Sequence, residues 1–387
     1  MSFFKDRNCY LKNYNLSLMD KIRLFSWPYL LLVSLVVFVG LMLLYSAGNG
    51  SWNPWASKQF IRYLMSLGVL FFISLTNLRL WMKYAYYIYT LALLLLVGVE
   101  LFGTVGMGAQ RWLNLGIIQL QPSEVMKIAL VLALAKYFHG ASLDEVRSIH
   151  FMIPPVLLMG MPVSLILLQP DLGTALMLVF VSVALFFLVG VQIWKFVVAG
   201  LATVASVPII WMMLHDYQKQ RVLTFLNPES DPHGSGYHIM QSKITLGSGG
   251  IFGKGFMEGT QSRLNFLPEK QTDFIFTILS EEFGLIGALM LLALYGVIIA
   301  YGFIIGLRCN NFFGKLLALG LTINFALYVF INMGMVMGLM PVVGVPLPLV
   351  SYGGTAMLTL FAGFGLIECV NINREMVIGR RGSIDDE

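Results

Sequence analysis

Asp273 stands where a polar stretch of the chain gives way to an apolar one, and Thr277, Ser280 and Glu281 follow it at offsets of four, seven and eight residues. At about 3.6 residues per turn, all four fall on one side of a helix. A polar stripe on an otherwise apolar membrane helix faces the protein interior or a water-filled cavity. The carboxylate then has two compatible roles. It can cap the helix N-terminus, where the backbone dipole favours negative charge, or it can act as a general base on a bound hydroxyl. Glu124 and Lys127 form a second constellation. Their spacing of three makes them neighbours on one helix face, and Pro122 suits the first turn of that helix. In apolar surroundings such charges must pair. The pair is either a structural salt bridge, with Lys127 reaching toward the membrane interface, or a polar cavity mouth that holds an anionic headgroup.

Six further cations, Arg111, Arg221, Lys243, Lys254, Arg263 and Lys270, are of the type that holds phosphates. Each alone reads as a solvated charge, but as a set above a membrane cavity they form a candidate headgroup site. Glu269 and Asp231 add carboxylates. His215, His233 and His238 lack the H-x-x-x-H or HExxH spacing of a zinc site. The glycines at 247, 249, 250, 253, 255 and 259 do not make a nucleotide loop, since Ser248 occupies the first-glycine position and Gly255 the hydroxyl position of a P-loop. They read as turns and as places where the backbone meets a neighbour closely. Asn324 and Asn332, in line by helical spacing, read as interhelical hydrogen-bonding groups.

The elements that must position these residues are membrane helices. The chain has 387 residues, of which 58% are hydrophobic and 12% charged, with a mean hydropathy of +0.78, which excludes a soluble domain. The expected fold is all-α: a polytopic membrane protein with about ten transmembrane helices and one long extracytoplasmic loop. The spans fall near 27–48, 60–76, 81–103, 124–139, 151–169, 174–191, 194–214, 273–305, 313–337 and 350–370. Lys and Arg crowd the loops on one side of this arrangement, so both termini are expected in the cytoplasm and the long loop outside. Residues 1–26 form a cytoplasmic lead, 27–374 the ten-helix domain with 215–272 as its long loop, and 375–387 a polar, mobile tail. Tyr237, Ile239, Met240 and Ile244 predict a short amphipathic helix in the loop, ended at Gly247. Residues 104–123 predict an interfacial hairpin, and QPDLGT at 169–174 a tight turn. Cys9, Cys309 and Cys369 lie on or near the cytoplasmic side, which argues against a structural disulfide. The net charge of +5 reflects topology and not a nucleic-acid footprint.

The stretches GAQRWLNLGIIQLQPSEVMKIAL, QPDLGTAL, DPHGSGYHIMQSKITLGSGGIFGKGF, GTQSRLNFLPEKQTDFIFTILSEEFGLIG and MPVVGVPLPLVSYGGT, in this order and across most of the chain, resemble the SEDS family (shape, elongation, division and sporulation). GTQSRLNFLPE is similar to the RodA branch, where the FtsW branch reads SxQKLxYLPE. The resemblance implies a ten-span peptidoglycan glycosyltransferase of the bacterial inner membrane, with its active site on the outer face. It would polymerise lipid II onto a lipid-linked glycan beside a class B penicillin-binding protein and the cell-elongation machinery. It also implies that Asp273, in the TDF motif, is the essential carboxylate, and that Glu124 and Lys127 are the paired charges of PSExxK. Arg111, Lys243, Arg263, Glu269 and Lys270 are then expected to bind substrate, with a divalent cation, Mg or Mn, able to share the neutralisation of pyrophosphate. The family often reads HTDF; here Gln271 stands in place of that His, so an imidazole is not required at this position, or its loss is compensated. A flippase for the same lipid would carry polar groups through the midplane, whereas here they crowd one face. A non-catalytic scaffold would tolerate substitution of Asp273.

Overall fold

The computed structural model describes residues 16–106, 109–114, 119–213, 216–227, 235–260, 270–342, 344–376 and 378–379. Each expected span corresponds to a helix: α2 (Trp27–Ala47), α3 (Trp55–Ser74), α4 (Leu78–Phe102), α5 (Pro122–Phe138), α7 (Ile149–Leu168), α8 (Leu172–Val189), α9 (Ile193–Met213), α12 (Ile275–Arg308), α13 (Phe312–Val336) and α14 (Gly354–Ile372). Seven of them are long and apolar enough to cross a membrane by length and composition alone. Among the others, α3 carries Lys58 and Arg62 in its first turns, and α5 carries Glu124, Lys127 and Lys136 in 17 residues. Shorter helices are α1 (Leu18–Leu24), α6 (Leu143–Arg147), α10 (Asp216–Leu226) and α11 (Ser235–Ser248). The 104–123 segment contains a small antiparallel sheet in the order β1 (Thr104–Gly106), β2 (Ala109–Asn114), β3 (Gln119–Leu120).

The bundle is centred on α5 and α13. Every residue of α5 from Ala129 to Ala135 is fully enclosed, which is why this helix is apolar all round instead of on one face. It packs along α4, α8 and α13, while α14 packs along α3 and α12 along α13. At the other extreme, none of the described side chains of α9 is buried, and Ile193, Val197, Leu201 and Trp211 lie on the outside of the bundle. The predicted surface helix is α11, but its expected apolar face is split between the interior and the outside. Ile239, Ser242 and Thr245 are buried, with Ser242 Oγ donating to the Val336 carbonyl at 2.6 Å, while Met240 and Ile244 are exposed.

The span expected at 273–305 is not one continuous helix. Gly284 has φ +65° and ψ −159° and breaks α12. The backbone groups freed by the break are taken up by the glycine-rich segment after α11. Lys254 N donates to Glu281 O and Gly255 N to Glu282 O, both at 3.0 Å. In return Leu285 N donates to Gly250 O at 3.0 Å and Ile286 N to Ile251 O at 3.2 Å. Irregular backbone at membrane depth is tolerated only where protein satisfies it in this way. The approach is so close that a Cβ on Gly253 would overlap the Glu282 carbonyl.

The tail also departs from expectation at its start. Met376 and Ile378 are buried, Asn310 N donates to Arg374 O at 3.0 Å, and His139 Nε2 lies 3.1 Å from Gly379 O. Two apolar side chains and the freed backbone at the end of α12 hold this segment against the bundle.

These contacts predict opposite outcomes for two neighbouring glycines. Gly253→Ala combines a left-handed φ of +79° with backbone overlap and should cost more than about 2 kcal/mol in thermal unfolding of the purified protein. Gly247→Ala, with nothing within 4 Å, should change stability by less than about 1 kcal/mol.

Candidate active site

Asp273 lies in a turn spanning 270–274 that leads into α12. The helix N-cap is Phe274, whose side chain makes no capping bond. The turn is instead held from outside by the segment between α13 and α14. Ser351 Oγ donates to Thr272 O at 2.6 Å, and Tyr352 N donates to Gln271 O at 2.9 Å. Asn332 Nδ2, buried on α13, is shared between Asp273 O at 2.9 Å and Val345 O at 2.7 Å. A Cβ at Gly344 (φ +72°) would sit 3.6 Å from Asp273 Oδ2, placing this glycine beside the carboxylate. The supporting segment is itself tied down. Gln59 Nε2 of α3 donates to Ser351 O at 3.0 Å, and Tyr295 OH of α12 donates to Pro348 O at 2.6 Å. Position 271, where the family often has His, contributes its backbone carbonyl to this support.

The polar stripe below Asp273 is buried, as its spacing requires. Thr277 Oγ1 donates to Phe274 O at 2.6 Å and Ser280 Oγ to Phe276 O at 3.0 Å, both within their own helix. Glu281, fully enclosed, pairs with Lys254 Nζ at 2.8 Å, and that ammonium also bonds Thr260 Oγ1 at 2.8 Å. Lys254 is therefore engaged with the helix break.

Glu124 and Lys127 are 5% and 3% exposed and pair at 2.6 Å. The hydroxyl of Tyr328, on α13, completes the cluster: it accepts from Lys127 and donates to the second oxygen of Glu124. Thr359 Oγ1 on α14 donates to that same carboxylate oxygen at 3.4 Å. Every member thus has a partner, the condition under which a buried ion pair is tolerated. Asn332 lies one helical turn beyond Tyr328, so α13 carries both the support of Asp273 and the tie to Glu124 and Lys127. Tyr328 was not singled out in the sequence, although Asn324, Tyr328 and Asn332 fall at spacings of four and mark a polar face on α13.

The remaining expected site residues are dispersed. Lys270 is 5% exposed, three residues before Asp273, and burial lowers its ammonium pKa. Arg111, on β2, donates through Nη2 to Pro170 O at 2.9 Å and lies 3.7 Å from Asp171 Oδ2. Asp171 in turn caps α8, its two oxygens accepting from Thr174 N at 3.2 Å and Thr174 Oγ1 at 2.9 Å. QPDLGT is therefore more than a turn, since it is where the small sheet docks on the bundle. Lys243 is exposed on α11 and its side chain runs over Gly338, beyond the end of α13. Arg263 and Glu269, within 261–269, and His215, Asp231 and His233 lie outside the described residues; Arg221 is on α10 and His238 on α11. A cation not singled out as a site residue, Arg62, lies over the ring of Tyr352 with Cζ 4.5 Å from the centroid.

Fold and site together define a multi-span membrane protein with a hydrogen-bonded charge cluster buried in its bundle and a buttressed carboxylate at the head of a broken helix. The chain belongs to the FtsW, RodA and SpoVE family, described as cell cycle proteins, whose model matches residues 22–376. It is 43% identical over 360 residues to the peptidoglycan glycosyltransferase MrdB of Escherichia coli (strain K12), covering 92% of this chain and 96% of MrdB. Its fold is similar to that of a chain from a peptidoglycan synthase complex that coordinates polymerization and crosslinking, with a TM-score of 0.79, 33% identity and coverage of 90% of this chain and 98% of that one. It is also similar to the rod shape determining protein RodA of Thermus thermophilus, with a TM-score of 0.68, 30% identity and coverage of 90% and 97%.

The charge cluster yields a double-mutant test. Glu124→Gln leaves Lys127 buried with its counter-charge removed and should cost roughly 3–5 kcal/mol. Adding Lys127→Met should recover a large part of that loss in thermal unfolding. A purely structural pair predicts that activity recovers along with stability.

Proposed function

We propose that this protein is a peptidoglycan glycosyltransferase that polymerises lipid II during cell elongation, with Asp273 as general base. The observation that carries the reading is the support of Asp273. Three consecutive backbone carbonyls, of Gln271, Thr272 and Asp273, are each bonded by a different residue from outside the turn. A catalytic group must be held in place by a rigid surrounding shell, and this carboxylate is carried on such a turn. The identity of the relatives as peptidoglycan glycosyltransferases supplies the reaction class.

In the proposed reaction Asp273 removes the proton from the acceptor sugar hydroxyl as its oxygen attacks the anomeric carbon of the lipid-linked donor. The bond from that carbon to the pyrophosphate oxygen breaks, the configuration inverts, and undecaprenyl pyrophosphate leaves with the electron pair. Pyrophosphate is a good leaving group, so a single base suffices and no paired acid is needed. Arg111, Lys243, Arg263 and Lys270 are assigned to the headgroup, with Glu269 alongside them. Glu124 and Lys127 form the far wall of the same site. Among the described residues no three His, Cys, Asp or Glu converge; a divalent cation, Mg or Mn, would be held by the substrate pyrophosphate with one or two carboxylates and would share the neutralisation of its charge.

The orientation assigned to the protein rests on cations gathered at the end of the bundle that holds α1 and the C-terminal end of α14. Lys21 Nζ donates to Leu75 O at 2.6 Å, Lys136 Nζ to Lys83 O at 3.1 Å, and Lys195 Nζ to Arg147 O at 2.7 Å. This end is assigned to the cytoplasm of the bacterial inner membrane, and Asp273 to the outer face. A class B penicillin-binding protein is the proposed partner, supported by the similarity to a chain of the synthase complex.

The test is polymerisation of lipid II by purified protein. Asp273→Asn should lower the rate at least about 100-fold while melting at the wild-type temperature. Robust polymer from the folded variant would refute the base assignment, and transport of labelled lipid II without polymer would favour a flippase.

A further inference from the structure

The seven residues of α1 present Leu18, Met19, Ile22 and Leu24 at 37–65% exposure, and none of its residues is buried. Such a helix sits at the boundary of headgroups and acyl chains, where its apolar side chains are covered by lipid. It is tethered there, since Lys21 Nζ donates to Leu75 O at the C-terminal end of α3 at 2.6 Å. Between α1 and the end of α14 lies a cleft of about 340 Å³, a volume within the range of small-molecule sites. Leu16, Leu24, Ile372 and Met376 give it apolar walls, and Asp20, Arg23, Arg374 and Glu375 give it charges of both signs.

We infer that this cleft binds a zwitterionic phospholipid of the phosphatidylethanolamine type, with phosphate at Arg23 and Arg374 and ammonium at Asp20 and Glu375. The charge balance selects this occupant. Two cations and two carboxylates match a headgroup with one phosphate and one ammonium, whereas an anionic lipid such as phosphatidylglycerol adds negative charge and brings no ammonium to the carboxylates. Phosphatidylcholine has a quaternary ammonium with no N–H to donate to them. Asp20 Oδ2 accepts from Ser17 Oγ at 2.7 Å, which leaves its other oxygen for a ligand. Arg374 and Glu375 approach each other only at 4.0 Å, with side chains 41% and 55% exposed, a contact of little strength in water. The site lies where α1 meets the end of α14 and shares no lining residue with Asp273 or the Glu124 cluster, and it is independent of the proposed reaction.

The experiment is native mass spectrometry of the full chain in detergent, titrated in parallel with phosphatidylethanolamine, phosphatidylglycerol and phosphatidylcholine of identical acyl chains. The expected result is preferential retention of phosphatidylethanolamine by about tenfold. Asp20→Asn with Glu375→Gln should erase that preference while keeping phospholipid bound. Arg23→Gln with Arg374→Gln should weaken retention of all three lipids. Unchanged melting temperatures in lipid-free detergent separate these effects from misfolding. Equal retention of the three lipids by the wild type, no retained lipid, or a preference that survives the acidic double variant would overturn the assignment.

Discussion

A polar group in the hydrocarbon of a bilayer must find its partner within the protein, and the organisation of this molecule follows from that constraint. The bundle interior contains a carboxylate, an ammonium and a phenol from α5 and α13, joined so that each satisfies another. Helix α5, the least exposed element, is also among the most charged of the spans. These two properties are compatible only because its neighbours supply hydroxyls at the right height. Leu or Phe at position 328 would leave the buried ion pair with fewer partners.

The same constraint explains how the site is held. A turn preceding a membrane helix exposes backbone carbonyls, and at 271–273 these are used as attachment points. Because Asn332 also bonds Val345, one buried amide fixes two segments against α13. The loop before α14 is positioned in turn by Gln59 and Tyr295, from two other helices. The carboxylate at the membrane edge therefore inherits its position from α3, α12 and α13 together.

The spans were legible in the sequence because each is a run of apolar residues long enough to cross the hydrocarbon, and their limits shift by only a few residues in the structure. The start of α14 moved from 350 to Gly354 because Leu349 takes a φ of +68° and the SYGG residues form the loop that holds Asp273. What remained hidden depended on distant pairing. Nothing local to Gly284 indicates that residues 250–255 would complete its hydrogen bonds. The stripe of Thr277, Ser280 and Glu281 was placed correctly on a buried face, but its hydrogen-bond partners were not legible. Short hydroxyl side chains can be satisfied by their own helix, and the partner of Glu281 is 27 residues away. Glu124 and Lys127 were visible because helical spacing makes a local pair detectable, while Tyr328, 201 residues beyond Lys127, was not. Arg111 was read as a headgroup cation, and the structure shows that its guanidinium also docks the sheet on Asp171.

The break at Gly284 has a consequence for how the chain enters the membrane. The segment that completes it, 250–255, lies upstream and leaves the ribosome first, so the partner for the broken helix is already present when α12 is made. With the order reversed, α12 would have to partition into lipid with two carbonyls and two amides bare, or wait outside until its complement arrived. The linear order of the gene thus spares the insertion machinery a costly intermediate. A circular permutation that placed α12 ahead of that segment would preserve every contact of the finished fold but remove its route of assembly.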